Sequence, residues 1–558
     1  MNERTKTGLE ILQAAILLGV LGDVLLRATP WGLNVLLFVG AFAAAFVMMI
    51  VRRRREFWNK QTIALNIALI FFAAMFVWRD SMELKVIDTI AILMILAIQS
   101  LSTLKIKAQI AGVFHYIIGF VWSGLNAVLA PFFLLIDDIA WKMIPQTGWS
   151  KHLISVIRGL AIATPILLIF GALFMTADAV FEGLVQKTFN IEIDQVISHI
   201  FLVSAFSWLI AGYLRGSLVE GFGKKVNDDL SVTPKTDEIK LQTLSVTEIK
   251  EDEPKTEEKP AQETKKWSWQ NFDNSILPKV FTLGAIELSI VLGLINLLFL
   301  SFVIVQIPYL FGGFELVQNT PDFNLADYAR RGFGELVTVA ALVLPILLIS
   351  HWLLRKDSPV NEKIYRVLAG MNLVLLFVIM TSAVQRIFIL TGNLGYGLTT
   401  IRFYPMVVML WLALIFVWFA LTVLRGAREQ FAWGVLWLAI FVLGTLHVFN
   451  PDEYIVRTNI RLMQEGRSFD SRYNSDLSDD AIPVLLENLP TMNFEDQCMV
   501  KSSLSHRLAI TQTENDFRTW NFSRRTARNM LDEFSGNFDT SNCSYSTKRH
   551  SYQNDFRD

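Results

Sequence analysis

Long apolar runs punctuate this chain, and they constrain its fold more than any other feature. Hydrocarbon offers no water to unpaired amides, so a spanning segment must satisfy its backbone internally. A helix does so in about 20 residues. Runs of this kind fall near Leu9–Leu26, Trp31–Val51, Thr62–Trp78, Val86–Leu104, Val156–Met175 and Val196–Leu214. After a long polar gap they resume near Val280–Ile307, Gly332–Leu354, Ile364–Leu390, Ile401–Leu424 and Phe431–Phe449. The reading is an all-α polytopic membrane bundle of eleven spans with a small helical soluble domain at its C-terminal end. Composition agrees: 53% of the 558 residues are hydrophobic and 18% charged, against about 25% charged in soluble domains. A soluble enzyme, a disordered scaffold or a secreted disulfide scaffold cannot be the whole answer.

Ile110–Ile136 is a doubtful twelfth span. It carries His115, Asn126 and Pro131, and it runs into Asp137-Asp138. Lys and Arg in short loops set orientation, and Arg52-Arg53-Arg54-Arg55 is the strongest marker. If residues 110–136 do not cross, 29 Lys/Arg fall inside, 8 outside and 13 in the tail. That asymmetry favours a re-entrant or interfacial helix, with the N-terminus inside and the C-terminus outside. Residues 9–26 are expected to be a retained anchor, because no small-residue cleavage site follows Leu26.

The expected organisation is a front bundle at 1–215, a linker at 216–278, a back bundle at 279–449, a helical domain at 450–534 and a flexible end at 535–558. The stretch from Lys224 to Lys266 is rich in Lys, Glu, Asp, Thr and Pro. It cannot bury enough apolar surface to offset its ordering entropy, so it is a tether or a docking and phosphorylation segment. In the tail, helices are expected at Glu453–Gln464, Asp479–Glu487, Asn493–Thr511 and Thr519–Phe534. Asn521-Phe522-Ser523 reads as a helix cap. Trp520, Phe522, Met530 and Leu531 could supply a small core.

Motifs for chemistry are absent. No phosphate loop, dinucleotide fingerprint, H-E-x-x-H or nucleophile elbow occurs. None of the seven histidines stands three or four residues from another, so no helical metal pair is expected. No cofactor is expected. The net charge of −1 gives no reason to expect nucleic acid. Cys498 and Cys543, the two cysteines, could form a disulfide in an outer tail or remain free.

Ionisable residues within spans are costly and mark candidate sites. Asp23 and Asp88 lie near outer helix ends, where Arg27, Arg79 and Lys85 could neutralise them. Glu335, Arg386 and Arg402 share an outer level and could form a polar pocket; both arginines could equally snorkel to the interface. Arg330 and Arg331 precede Glu335 in a dense cluster. They could hold an anion or lipid headgroup, or simply anchor the helix beside Tyr328 and Phe333.

Four patterns carry a family resemblance. They are Tyr328-Ala-Arg-Arg-Gly-Phe-Gly-Glu-Leu336, Asn450-Pro-Asp-Glu-Tyr-Ile-Val-Arg-Thr-Asn-Ile460, the Asp470…Tyr473…Leu477-Ser-x-Asp-Ala-x-Pro483 run and Trp520-Asn-Phe-Ser-Arg524. In these the chain resembles the bacterial polytopic family catalogued as domain of unknown function four-one-seven-three. The related group four-one-five-three is the second choice. Gly334 stands where a second aromatic is expected. The resemblance implies a bacterial inner-membrane location and no particular activity. Two function classes follow. One is a non-enzymatic sensing, scaffolding or assembly protein of the envelope, meeting lipids and a protein partner through its tail or charged linker. The other is a transporter or lipid-translocating protein using the Glu335/Arg386/Arg402 group.

Overall fold

The computed structural model describes residues 3–104, 106–141, 193–219, 282–318, 325–355, 358–388, 391, 397–511 and 516–534. At 193–194, 307–318, 325–332 and 510–511 only the helical backbone is described. The membrane part contains α1 (Glu3–Leu26), α2 (Leu33–Arg53), α3 (Lys60–Trp78), α4 (Met82–Gln99), α5 (Val113–Phe133) and α6 (Ile193–Leu218). It continues with α7 (Ala285–Gln318), α8 (Leu325–Leu353), α9 (Pro359–Phe388), α10 (Thr400–Thr422) and α11 (Phe431–Phe449). A cap follows: α12 (Pro451–Gln464), α13 (Ser471–Asp476), α14 (Ile482–Asn488), α15 (Phe494–Thr511) and α16 (Phe522–Phe534).

Eleven helices among the described residues are long and apolar enough to cross a membrane. Ten coincide with expected spans. The eleventh is α5 with its extension to Asp138; the expected span Val156–Met175 lies outside the described residues.

Polar contacts at the helix ends define two faces. At the N-terminal face, Arg53 of α2 meets Glu3 at 2.7 Å and Glu10 at 2.6 Å on α1. Buried Asp138 there binds Arg4 of α1 and Arg215 of α6, each at 2.6 Å. At the opposite face, Asp23 of α1 binds Arg27 at 2.9 Å and His199 of α6 at 2.5 Å. The cap sits on this second face.

Helix α5 has both of its ends at the N-terminal face. The turn before it packs Ala108 against Ala432, at the start of α11, a helix that ends at the cap. The Tyr116 hydroxyl donates to the Ala108 carbonyl at 3.0 Å. Beyond its far end stands Asp138, with Arg4 and Arg215. Between these ends α5 crosses α6 closely: a Cβ on Gly212 would lie 2.4 Å from the Ala127 carbonyl oxygen, and one on Gly216 would lie 2.6 Å from the Asn126 side chain. Small residues let these backbones approach. The chain therefore leaves the described structure at Trp141 on the N-terminal face and resumes at Ile193 on the opposite one.

The back bundle is cored by Leu288, Leu292, Ala340, Leu347, Tyr365 and Phe416 among others. At its N-terminal face Leu283, just before α7, pairs with Leu354, just after α8. The cap has its own core of Ile455, Val456, Val484, Leu485, Val500, Leu504 and Leu531. This core is continuous with Leu84, Leu398, Phe403 and Leu446 at the ends of the spans, so the cap is packed onto the bundle rather than tethered above it.

Local chemistry explains the join between α11 and the cap. Asn450 takes a left-handed conformation (φ 56°) that stops α11. The next residue, Pro451, opens α12, where its missing N–H costs nothing. Asn521 caps α16: its side-chain oxygen accepts from the Arg524 N–H at 3.0 Å. The expected tail helices are present. The expected small core is corrected at two positions. Leu531 is buried, but Trp520 and Phe522 are 43% and 52% exposed beside Trp78, Val77 and Leu36. They lie at the level where the cap meets the bilayer, where aromatic rings are favoured.

Candidate functional site: a buried polar seam at the cap face

One buried carboxylate gathers several of the bonds that join the cap to the spans. Asp480 sits in a short 3₁₀ turn, Asp479–Ala481, and its side chain is wholly buried. Oδ2 accepts from the backbone N–H groups of Asp80 at 2.7 Å and Ser81 at 3.0 Å. Those amides lie in the α3–α4 connection. Oδ1 accepts from the Ser523 hydroxyl at 2.5 Å and from Arg79 at 3.3 Å. A carboxylate only accepts, and these partners are all donors.

Neighbouring bonds extend the seam. Arg79 Nε donates to the His447 carbonyl at 2.7 Å, joining α3 to α11. Asn521 Nδ2 donates to the Phe76 and Arg79 carbonyls, both at 2.8 Å. The Leu33 N–H donates to the Trp520 carbonyl at 2.9 Å. Arg524 reaches the Trp31 carbonyl at 3.0 Å and Asp80 at 3.4 Å. On the back bundle, the Leu398 N–H donates to Asn459 at 2.6 Å and the Thr400 N–H to the Tyr473 hydroxyl at 2.7 Å. The cap thus grips the α1–α2 and α3–α4 connections, the start of α10 and the end of α11.

Two further acids lie inside the cap. Asp452 is 1% exposed and bonds the Ser478 hydroxyl through Oδ2, while Oδ1 has no partner. Burial raises its pKa to about 6, with Glu83 and Asp480 adding to the rise. Burial also raises Asp479 to about 6, reinforced by Asp80 and opposed by Arg507 at 3.0 Å.

Below the seam, Asp88 of α4 meets His447 Nε2 of α11 at 3.0 Å, with both side chains 1% exposed. His447 Nδ1 lies 2.8 Å from the Leu443 carbonyl. A carbonyl oxygen accepts, so Nδ1 is the donor to Leu443 and Nε2 faces the Asp88 carboxyl. This corrects the expected neutralisation of Asp88. Lys85 goes to Asp80 at 2.6 Å and Arg79 to Asp480, while Asp23 does take Arg27 as expected. No histidine lies within helical spacing of another, and His447 finds its partner through the fold alone. Its partner lies 359 positions away, beyond any spacing rule.

The predicted pocket residues are distributed as follows. Arg386 is buried on α9 and donates to Gln306 of α7 at 2.8 Å. Arg402 donates to the Gly397 carbonyl at 2.5 Å. Glu335 is exposed on α8 and makes no ion pair among the described residues. Arg330 and Arg331 belong to α8, and their side chains lie outside the described residues. No group of three metal-binding side chains occurs among the described residues. Cys498 is disulfide-bonded.

A deep groove opens beside the seam. Helix α4 forms one wall, α10 the other and α11 the floor, enclosing about 960 Å³. Its lining is aliphatic and aromatic from Met82 at the cap face to Val113 and Tyr116 at the other.

No curated protein and no solved structure matches the chain. One family profile does, over residues 66–488, described as domain of unknown function DUF4153. The matched span runs from within α3 to the end of α14. It therefore takes in Asp80, Asp88, His447 and Asp480, and corrects the choice between the two related groups named from the sequence. This all-α polytopic membrane chain belongs to the DUF4153 family.

Proposed function

We propose that the protein is a non-enzymatic component of the bacterial inner membrane with a sensing, scaffolding or assembly role in the envelope. The observation that carries this reading is the Asp480 seam. One buried carboxylate ties the cap to the α3–α4 connection, and Asn459 and Tyr473 tie the cap to the back bundle at Leu398 and Thr400. A partner that binds the cap would act on the relative position of both sets of spans. The N-terminal face is the cytoplasmic one on this reading, because it bears Arg52–Arg55, Arg215, Arg366, Arg425 and Arg428. The described chain breaks off at Val219 and resumes at Thr282 on that side. The cap is then extracytoplasmic, which suits an oxidised Cys498.

The test is a reporter active only outside the cytoplasm, fused after Phe534, combined with thiol labelling in intact cells. An active reporter and a Cys498 thiol labelled only after reduction are expected. An inactive reporter would invert the orientation and end the envelope-partner reading. Deletion of Lys224–Lys266 should in turn change the proteins recovered with the chain while the spans stay folded; unchanged recovery would leave that segment a tether.

The groove favours a second reading, a transporter or lipid-translocating protein. There Ala439→Phe, which fills the groove floor, should abolish movement of a solute or lipid at unchanged protein level.

A further inference from the structure

The groove between α4 and α10 runs about 24 Å along its α4 wall, from Glu83 to Ile98, and its lining is almost wholly apolar. It also opens sideways to the bilayer, since Val86, Ile90, Ile401 and Val408 on its walls are exposed. An apolar groove that faces hydrocarbon suits acyl chains.

The end of the groove at the cap face is polar and asymmetric. Glu83 lines it on the α4 wall, and Thr400 and Tyr404 line it on the α10 wall. The Ser81 hydroxyl donates to Glu83 at 3.2 Å and lies 3.5 Å from the Tyr404 hydroxyl. Asp452 lies within electrostatic reach of Glu83. Neither Glu83 nor Asp452 forms an ion pair among the described residues, and Asp452 Oδ1 is buried without a hydrogen-bond partner. The nearby cations are committed elsewhere: Lys85 to Asp80, Arg79 to Asp480 and the His447 carbonyl. The mouth is therefore short of positive charge on the α4 side. On the α10 side it presents Thr400 and Tyr404, and the Thr400 N–H is already given to the Tyr473 hydroxyl. An ammonium complements the α4 side.

We propose that this groove holds a glycerophospholipid with a primary-amine headgroup, its acyl chains along α4 and α10 and its ammonium at Glu83. The bound lipid fills the space that α4, α10 and α11 leave between the front and back bundles. The proposal is independent of the cap's sidedness and partner, so either can fail without the other.

Trp411 lines the groove and reports its occupant. The full chain is reconstituted in vesicles of phosphatidylethanolamine and phosphatidylglycerol in equal parts, with brominated chains on one lipid or the other. The emission removed by Trp411→Phe isolates the groove signal. Bromine on phosphatidylethanolamine should quench that component as if the lipid were enriched about fivefold over the bulk mixture, the factor one net hydrogen bond supplies. Glu83→Gln should abolish the preference. Ala439→Phe, which leaves Glu83 intact and fills the floor, should lower quenching by both lipids. Equal quenching by the two lipids in the unmodified protein, or a preference that survives Glu83→Gln, would overturn the proposal. Unchanged quenching in Ala439→Phe would overturn it too, by placing the lipid outside the groove.

Discussion

Substituting Asp480 by Ala should release the cap from the spans. The side chain is wholly buried and accepts from two backbone amides, the Ser523 hydroxyl and the Arg79 guanidinium. Its loss strands those donors, and Arg79, with its side chain only 13% exposed, keeps an uncompensated charge. Removing one partner of a buried pair costs about 3–5 kcal/mol. That corresponds to an open fraction larger by about 10²- to 10³-fold or somewhat more. Asn at this position should cost less: its oxygen can keep the Asp80 and Ser81 amides while its NH₂ group donates to the Ser523 hydroxyl, which can turn its hydrogen to the Trp78 carbonyl at 2.9 Å. The assay is hydrogen exchange at the Asp80 and Ser81 amides, whose N–H groups point at Oδ2. Their exchange should accelerate by that factor in the Ala variant and by less in the Asn variant, while amides at the centres of the spans keep their protection. Exchange at these two amides in the Ala variant within threefold of the unmodified protein would refute the idea that Asp480 holds the cap.

Two other predictions follow from the geometry. Asp452 and Asp479 both have pKa values raised to about 6, above the usual value near 3.9, so the folded cap binds protons more tightly than the unfolded one. Their favourable contribution is complete below about pH 4 and is lost as pH rises through about 6. Cap unfolding followed by calorimetry should therefore show a higher transition temperature at pH 5 than at pH 7.5, and Asp452→Asn with Asp479→Asn should flatten that difference; a higher temperature at pH 7.5 would contradict the sign. Gly212→Val should separate α5 from α6, because even the first added carbon meets the Ala127 carbonyl. A cost of about 1–3 kcal/mol is expected, read as a lower thermal midpoint in detergent, and an unchanged midpoint would rule out the close backbone approach.

The sequence revealed the spans because each is a local pattern. Hydrophobicity sustained over one bilayer thickness needs no knowledge of neighbours, and ten expected runs recur as helices. The cap helices were legible for the same reason, down to Asn521 as the cap of α16. What stayed hidden was pairing across distance. Asp88 looked like a residue in need of Lys85 or Arg79, since those lie nearby in the chain. The fold gives it His447 instead and sends Arg79 to Asp480, 401 positions away. Trp520 and Phe522 misled for a related reason. Aromatic residues in a small domain suggest a core, but this domain borders lipid, where exposed rings are stable. Asp480 itself carried a weak signal: it lies in the Leu477-Ser-x-Asp-Ala-x-Pro483 run, one of the four patterns behind the family resemblance, yet nothing in the run says what the carboxylate accepts.

The seam also orders events during synthesis. Its acceptor surface comes from residues near 31–33, 76–81, 398–400 and 447, and its key from 480 and 521–524. The key emerges from the ribosome only after every acceptor segment has been made, so the cap cannot close until both bundles stand side by side. A chain with a misplaced span would leave Arg79, Asp80 and Asn521 without partners and the apolar ends of α4 and α10 uncovered. The order of the contacts along the chain thus makes burial of Asp480 the last join of the fold.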